Sequence, residues 1–284
     1  MSQIEHISDT ARWVAVYRAM ETARPDAIFR DPFAERLAGD KGHAIVDAMP
    51  NGRRLAWPMI VRTAVFDEII LDRVRNGGVD TVLNLAAGLD ARAWRMPVPA
   101  TLRWIDVDLP GILDYKLEML AGERTVCRYD AVRLDLGDAP RRQALFSQVG
   151  SESRRVLVVS EGLIIYLETE QVAALATDLH AQPSFKWWLH DLASPALLRM
   201  MSKTWGPQVE RGNAPFKFAP PESTTFFEPY GWREAAYRPT FEEGIRLKRT
   251  MPFARFWKFL GLFAPKKRRE EFKRFSGNVL LERI

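Results

Sequence analysis

From Thr81 onward the chain alternates short apolar runs with helix-length segments, and no other feature limits the fold as strongly. Such runs describe strands joined by crossover helices, which calls for a parallel sheet covered on both faces. The pattern places strands at 81–86, 102–107, 131–134, 155–160 and 185–190, with helices near 109–121, 140–149 and 168–181. This series fits an open, doubly wound α/β sheet rather than an eight-fold closed barrel.

Ahead of the sheet, the stretch 8–76 reads as helical. Ser8 or Asp9 caps a helix carrying Trp13, Val16, Tyr17 and Met20, which Pro25 and Pro32 interrupt. A second long helix over 53–75 ends at Gly77 and Gly78. Beyond Asp191, the prolines at 195, 207, 215, 220 and 221 punctuate an aromatic-rich stretch. That stretch reads as a cap over the ligand edge of the sheet, and the alternation from Gly277 reads as a last strand. The expected organisation is one domain: a helical extension over 1–78, a nucleoside-binding core over 79–192, a cap with late core elements over 193–276, and the final strand over 277–284.

Composition excludes several classes. The single Cys127 forbids an internal disulfide, and the four histidines (His6, His43, His180, His190) show no metal-ligand spacing, so no metal is expected. No apolar run is long enough to span a bilayer, since the most apolar one is broken by Glu161, and no secretory leader is visible. A cytoplasmic location is the expectation. The net charge of +5 is modest and gathered late in the chain, so nucleic acid is not an expected partner. The basic, aromatic segment 253–275 is a candidate contact for an acidic carrier or a surface.

The chemistry-bearing residues stand where the strands end. The first strand runs into Ala86, Ala87 and Gly88, small side chains that let a ligand approach the backbone before a helix begins. Asp106 and Asp108 close the second strand on one face, and Asp108, nearer the edge and twenty positions after Gly88, is the candidate acceptor for ribose hydroxyls. The turn holds one glycine where a pyrophosphate cradle needs three, which favours a nucleoside ligand without a pyrophosphate. Asp135 and Leu136 follow the third strand, suited to an adenine amino group and ring. Glu161, set in an apolar run after the fourth, needs a donor or cation beside it. His190 beside Asp191 reads as a structural residue, and Phe218, Phe226, Phe227, Tyr230 and Trp232 are either aromatic surface for an acceptor under the cap or ordinary cap core.

With TARWVAVYRAME, RDPFAERLAG, RTAVFDEII, NLAAGLDARAWRM, WIDVDLPGIL, SEGLIIYL and GNVLLER in this order, the chain resembles the leucine carboxyl methyltransferase family. It is most similar to the bacterial branch related to the tetracenomycin polyketide carboxyl methyltransferase. The resemblance implies a Rossmann-like, class I S-adenosylmethionine (SAM) methyltransferase sheet, mostly parallel, with a helical extension and a helical cap. SAM is the implied cofactor and S-adenosylhomocysteine (SAH) its product. By motif position, Arg62 would hold the methionine carboxylate, Ala87 and Gly88 would border the methionine and ribose, and Asp108 would bind the ribose. Asp135 and Leu136 would bind the adenine, Glu161 would lie near the methionine amino group, and Arg12 would stand near the cofactor. Relatives often carry glycine where this chain has Ala86. The expected acceptor is a carboxylate on a small metabolite, which needs no general base because it is ionised at neutral pH; no catalytic residue is named. A phenol or hydroxyl acceptor, or a SAM-binding protein without catalysis, are the alternatives.

Overall fold

The computed structural model describes residues 9–211, 215–253, 256 and 265–284, with the side chains of 206–211 outside the description. Seven strands form one sheet in the order β3-β2-β1-β4-β5-β7-β6. They are β1 (Thr81–Leu85), β2 (Arg103–Asp108), β3 (Arg128–Arg133), β4 (Val156–Ser160), β5 (Phe185–Ala193), β6 (Trp232–Pro239) and β7 (Ser276–Arg283). The first five are parallel, and β7 inserts antiparallel between β5 and β6.

The alternation of side chains along each strand divides the core in two. Val82, Trp104, Leu157, Val159 and Leu189 face the amino-terminal helices α1 (Asp9–Thr22), α2 (Ala34–Ala48) and α3 (Trp57–Asn76). Leu83, Ile105, Val158, Trp188 and Leu281 face the other way, toward α6 (Ala139–Glu152) and α7 (Thr169–His180). Between these come the short α4 (Arg92–Arg95) and α5 (Pro110–Met119). Asp138 caps α6 through the Arg141 N–H at 3.2 Å, and Glu168 with Gln171 makes a capping box on α7.

After β5 come α8 (Pro195–Arg211), a 3₁₀ stretch (Ser223–Tyr230), α9 (Thr240–Arg246) and α10 (Lys266–Lys273). No helix among the described residues is long and apolar enough to cross a membrane.

The structure decides between the two readings of the cap aromatics. Phe218, Phe227 and Trp232 do not sit over the ligand edge: they are buried in the second core half, edge-on to one another and to Trp188. Trp232 begins β6 and donates its indole N–H to the Ala176 carbonyl at 2.9 Å. The edge strand β6 was hidden because Arg233, Glu234 and Arg238 interrupt its apolar pattern. Ser8 and most of 253–264 lie outside the described residues, whereas α10 is exposed along its length.

His190 on β5 is fully buried between Trp188 and Phe227, with ring centroids 5.1 and 5.0 Å away. Burial pushes its pKa down to about 4, against a smaller opposing pull from Asp191. The fold therefore holds the imidazole neutral while the unfolded chain protonates it near its ordinary value of about 6.5. The contribution is complete above that value and is lost as the pH falls toward 4, roughly 3 kcal/mol in all. Urea unfolding should show this loss between pH 7 and 4.5, and His190→Leu should show a visibly flatter profile; parallel profiles would remove the assignment.

Candidate functional site

Strand order reverses between β1 and β4, where crossovers leave for opposite faces and open a crevice at the strands' carboxyl ends. A cavity of about 1230 Å³ lies there. Arg62, Ala87, Gly88, Asp108, Asp135, Leu136 and Glu161 all border it, delivered by α3 and by the ends of β1, β2, β3 and β4. Asp191 on β5 joins them. Arg12 does not: its guanidinium lies 3.9 Å over the Tyr115 ring and its Nη1 donates to the Ala38 carbonyl at 3.4 Å, while Arg18, two turns on, borders the cavity.

The turn after β1 is built for close approach. Gly88 has φ +50°, and a Cβ there would meet the Ala11 Cβ at 3.0 Å. Ala86 also has a left-handed φ, +52°, which an L side chain adopts at a cost.

The two aspartates of β2 have different fates. Asp106 is wholly buried and accepts from Lys116 Nζ (2.7 Å), Tyr129 Oη (2.8 Å), Asn84 Nδ2 (2.9 Å) and Trp104 Nε1 (2.9 Å). It ties β1, β2, β3 and α5 together and presents nothing to the cavity. Asp108 borders the cavity and accepts from the backbone N–H of Gly88 (2.6 Å) and of Leu109 (2.7 Å). Burial outweighs these donors and raises its pKa. Asp135 is exposed and accepts from the Gly137 N–H at 2.8 Å, with Leu136 beside it.

Sequence alone did not reveal the network behind Glu161. One carboxylate oxygen accepts from Arg62 Nε at 3.0 Å and the other from Arg92 Nη1 at 2.8 Å. Arg62 also reaches Asp191 at 3.2 Å, and Arg92, only 2% exposed, contacts Asp67 (2.6 Å) and Asp90 (2.8 Å). Burial works against the charge on Arg62 and Arg92, yet the surrounding carboxylates outweigh it and raise both pKa values. Burial works to raise the pKa of Asp90, but Arg92, Arg18, Arg95 and Lys116 outweigh it and hold the carboxyl down at about 2. Asp191 further accepts the Gly162 N–H at 2.6 Å. The only sequence signal was the density of charge in LDARAWR directly after the turn.

A guanidinium beside two carboxylates, a carboxylate at the next strand end, and an apolar residue beside an acid at the third suit a ligand with an amino-acid end, a diol and a heteroaromatic ring. The sequence profile of leucine carboxyl methyltransferases matches residues 11–180. The chain belongs to this family. A Streptomyces coelicolor protein, provisionally named an S-adenosyl-L-methionine-dependent methyltransferase, is 36% identical over 184 residues, covering 61% of this chain and 64% of that one. A similarly named Mycobacterium protein (strain KMS) is 32% identical over 198 residues, covering 64% of this chain and 65% of that one. The match thus spans less than two thirds of these curated relatives. Two solved structures share the fold across nearly the whole length. One is a DUF574 family protein from Streptomyces avermitilis, with TM-score 0.59, 13% identity, and 95% of this chain and 97% of that one covered. The other, provisionally titled a methyltransferase, is from Thermobifida fusca, with TM-score 0.60, 12% identity, and 99% and 96% covered.

Two substitutions probe the architecture of this family member's site. Ala86→Gly should raise stability by about 0.5–1 kcal/mol, the relief of a left-handed alanine less the added freedom of the unfolded chain; a lower urea midpoint would contradict it. Arg92→Gln should destabilise by about 3–5 kcal/mol, because it leaves the carboxylates of Asp67, Asp90 and Glu161 short of a buried countercharge; a change below about 1 kcal/mol would mean that Arg62 and Arg95 suffice.

Proposed function

We propose that the protein is a SAM-dependent carboxyl O-methyltransferase for a small-molecule acid, of the polyketide-like or a comparable kind. The observation that carries this reading is the state of the ionisable groups around the cavity. Among the described residues that border it there is no histidine, lysine or cysteine. Glu161 and Asp191 are engaged by Arg62, Asp90 by Arg92, and Asp108 by two backbone N–H groups. The phenols of Tyr17 and Tyr166 are each pushed up to about 12, chiefly by burial, and keep their protons. Two further carboxylates border the cavity: Asp135, which accepts the Gly137 N–H, and the exposed Glu170. A carboxylate is a weak base toward a phenol with a pKa of about 10, whereas an acid with a pKa of about 4 arrives ionised.

The residues fit the cofactor that the family implies. Arg62 would hold its carboxylate, Glu161 and Asp191 its ammonium group, Asp108 its ribose hydroxyls, and Asp135 with Leu136 its adenine, with Ala87 and Gly88 against the ribose. When bound, SAM supplies an electrophilic methyl group on a sulfonium. The chain's own contribution is then to hold the acceptor carboxylate in line and to exclude water. The exposed basic helix α10 supports an accessory contact with an acidic carrier or surface.

Calorimetry and product chemistry test this. SAM and SAH should both bind, and Asp108→Asn should weaken SAH by about 10- to 100-fold; no heat from either ligand would end the assignment. A tritiated methyl group transferred to an acceptor should be released by alkali as methanol, and a base-stable product would replace the carboxyl acceptor with a phenol.

A further inference from the structure

We propose that the apolar region of the cavity receives a bulky, apolar carboxylic acid bearing one charge, and that Arg54 pairs that charge. This rests on the carboxylate reading above and names the class of acid and the residue that recognises it.

Four arginines border the cavity, and three are already occupied. Arg18 is held by Asp31 (2.9 Å) and the Leu89 carbonyl (2.6 Å). Arg62 is held by Glu161 and Asp191, and Arg142 by Asp178 (2.9 Å) and the Leu136 carbonyl (2.6 Å). Arg54 makes no ion pair or side-chain hydrogen bond among the described residues, although its neighbour Arg53 is taken by Asp47 at 2.7 Å and does not border the cavity. Among the described residues it is therefore the one cation at this cavity with a vacant hydrogen-bonding fork.

Its backbone is well fixed. Arg54 lies in the 3₁₀ turn Arg53–Leu55, closed by Leu55 N–H to the Asn51 carbonyl at 3.0 Å. Tyr17 Oη donates to the Gly52 carbonyl at 3.0 Å, and Gly52 packs so tightly that a Cβ would stand 2.2 Å from the Val46 carbonyl oxygen. A guanidinium carried on such a turn can select by position.

The surroundings define the rest of the ligand. Met49 just after α2, Trp57 at the start of α3, and Met201 and Trp205 on α8 border the same cavity. A second charge would find no free cation there among the described residues, and a polyhydroxylated acceptor would forfeit much of its hydration against these side chains. Arg54 is solvent-exposed, and one anionic group on an apolar body matches one free, exposed guanidinium bordering an apolar wall.

The pairing also separates substrate from product. The acceptor's carboxylate oxygen forms a bond to the methyl carbon as the carbon–sulfur bond breaks, its electron pair passing to sulfur. An anion and a sulfonium thus become a neutral ester and a neutral thioether, with no proton moved. The ester no longer has a charge for Arg54 and leaves more readily than the acid.

Isothermal titration of the SAH-saturated protein with anthracene-2-carboxylate and with its methyl ester tests this, using wild type, Arg54→Gln, Arg54→Lys and Arg53→Gln. The acid should bind wild type about 10- to 100-fold more tightly than the ester. Arg54→Gln should erase that preference, Arg54→Lys should restore some of it, Arg53→Gln should keep it, and SAH affinity should not move in any of them. Equal binding of acid and ester by wild type, no heat from the acid, or an Arg54→Gln protein with the full preference would each overturn the proposal. Turnover with tritiated-methyl SAM separates the two readings: label in 2-naphthol and none in the acid would sink the carboxyl acceptor, while the titrations judge Arg54 independently.

Discussion

The buried guanidinium of Arg92 is the constraint on which the strand-end side of the cavity depends. A charge so fully removed from water persists only if carboxylates surround it. Here they come from three separate stretches of the chain: Asp67 on α3, Asp90 after the first turn, and Glu161 beyond β4. Neutralising Arg92 therefore fixes the helical extension, the β1 turn and the β4 terminus against one another. Arg62 and Asp191 extend the same lattice to β5, so the groups facing the cavity hold their positions before any ligand arrives.

Asp106 has the corresponding role a layer deeper. Its four donors come from β1, β2, β3 and α5, and through Asn84, which also reaches Asp90 at 3.1 Å, it is coupled to the Arg92 network. Two carboxylates two positions apart on one strand face thus diverge because one meets Lys116 inside and the other meets backbone N–H groups at the rim. The inner one is architecture, and the outer one has oxygen lone pairs left for a ligand.

Much of this was legible in the sequence, with a physical pattern to what was not. The central strands β1, β2, β4 and β5 announced themselves as apolar runs because both of their faces are covered. The misreadings fall at the two edges of the sheet. β3 was expected over only 131–134, since RYDAVR is half exposed and polar, and β6 was missed entirely. At the site, acids at strand ends were readable because position along a strand is a local property. Arg92, Asp67, Asp90 and Asp191 were not, because a buried charge differs from a solvated one only through partners distant in sequence, 25 residues for Arg92 with Asp67 and 129 for Arg62 with Asp191. The cap aromatics stayed ambiguous for the converse reason. Phe218, Phe227 and Trp232 are apolar wherever they are placed, and only the return of the chain as β6 decides which side of the sheet they fill.

The cavity joins two halves with different origins along the chain. The charged residues at the strand ends come from α3 and from β1 to β4, within the residues that match the family profile, with Asp191 on β5 just beyond them. The other residues bordering the cavity include Met49, Arg54 and Trp57 before the sheet, but also Met201, Trp205, Phe241 and Phe272, all beyond residue 180 where that match stops. Several of the cavity's walls therefore lie outside the stretch that identifies the family. The fold permits this split because the crevice at the strand reversal needs only its floor to be supplied by the sheet, while the walls come from whatever the extension and the late helices carry. The Met, Trp and Phe side chains on those walls take no part in the ion pairs around Arg92, so the charged lattice and the apolar walls are built independently of each other.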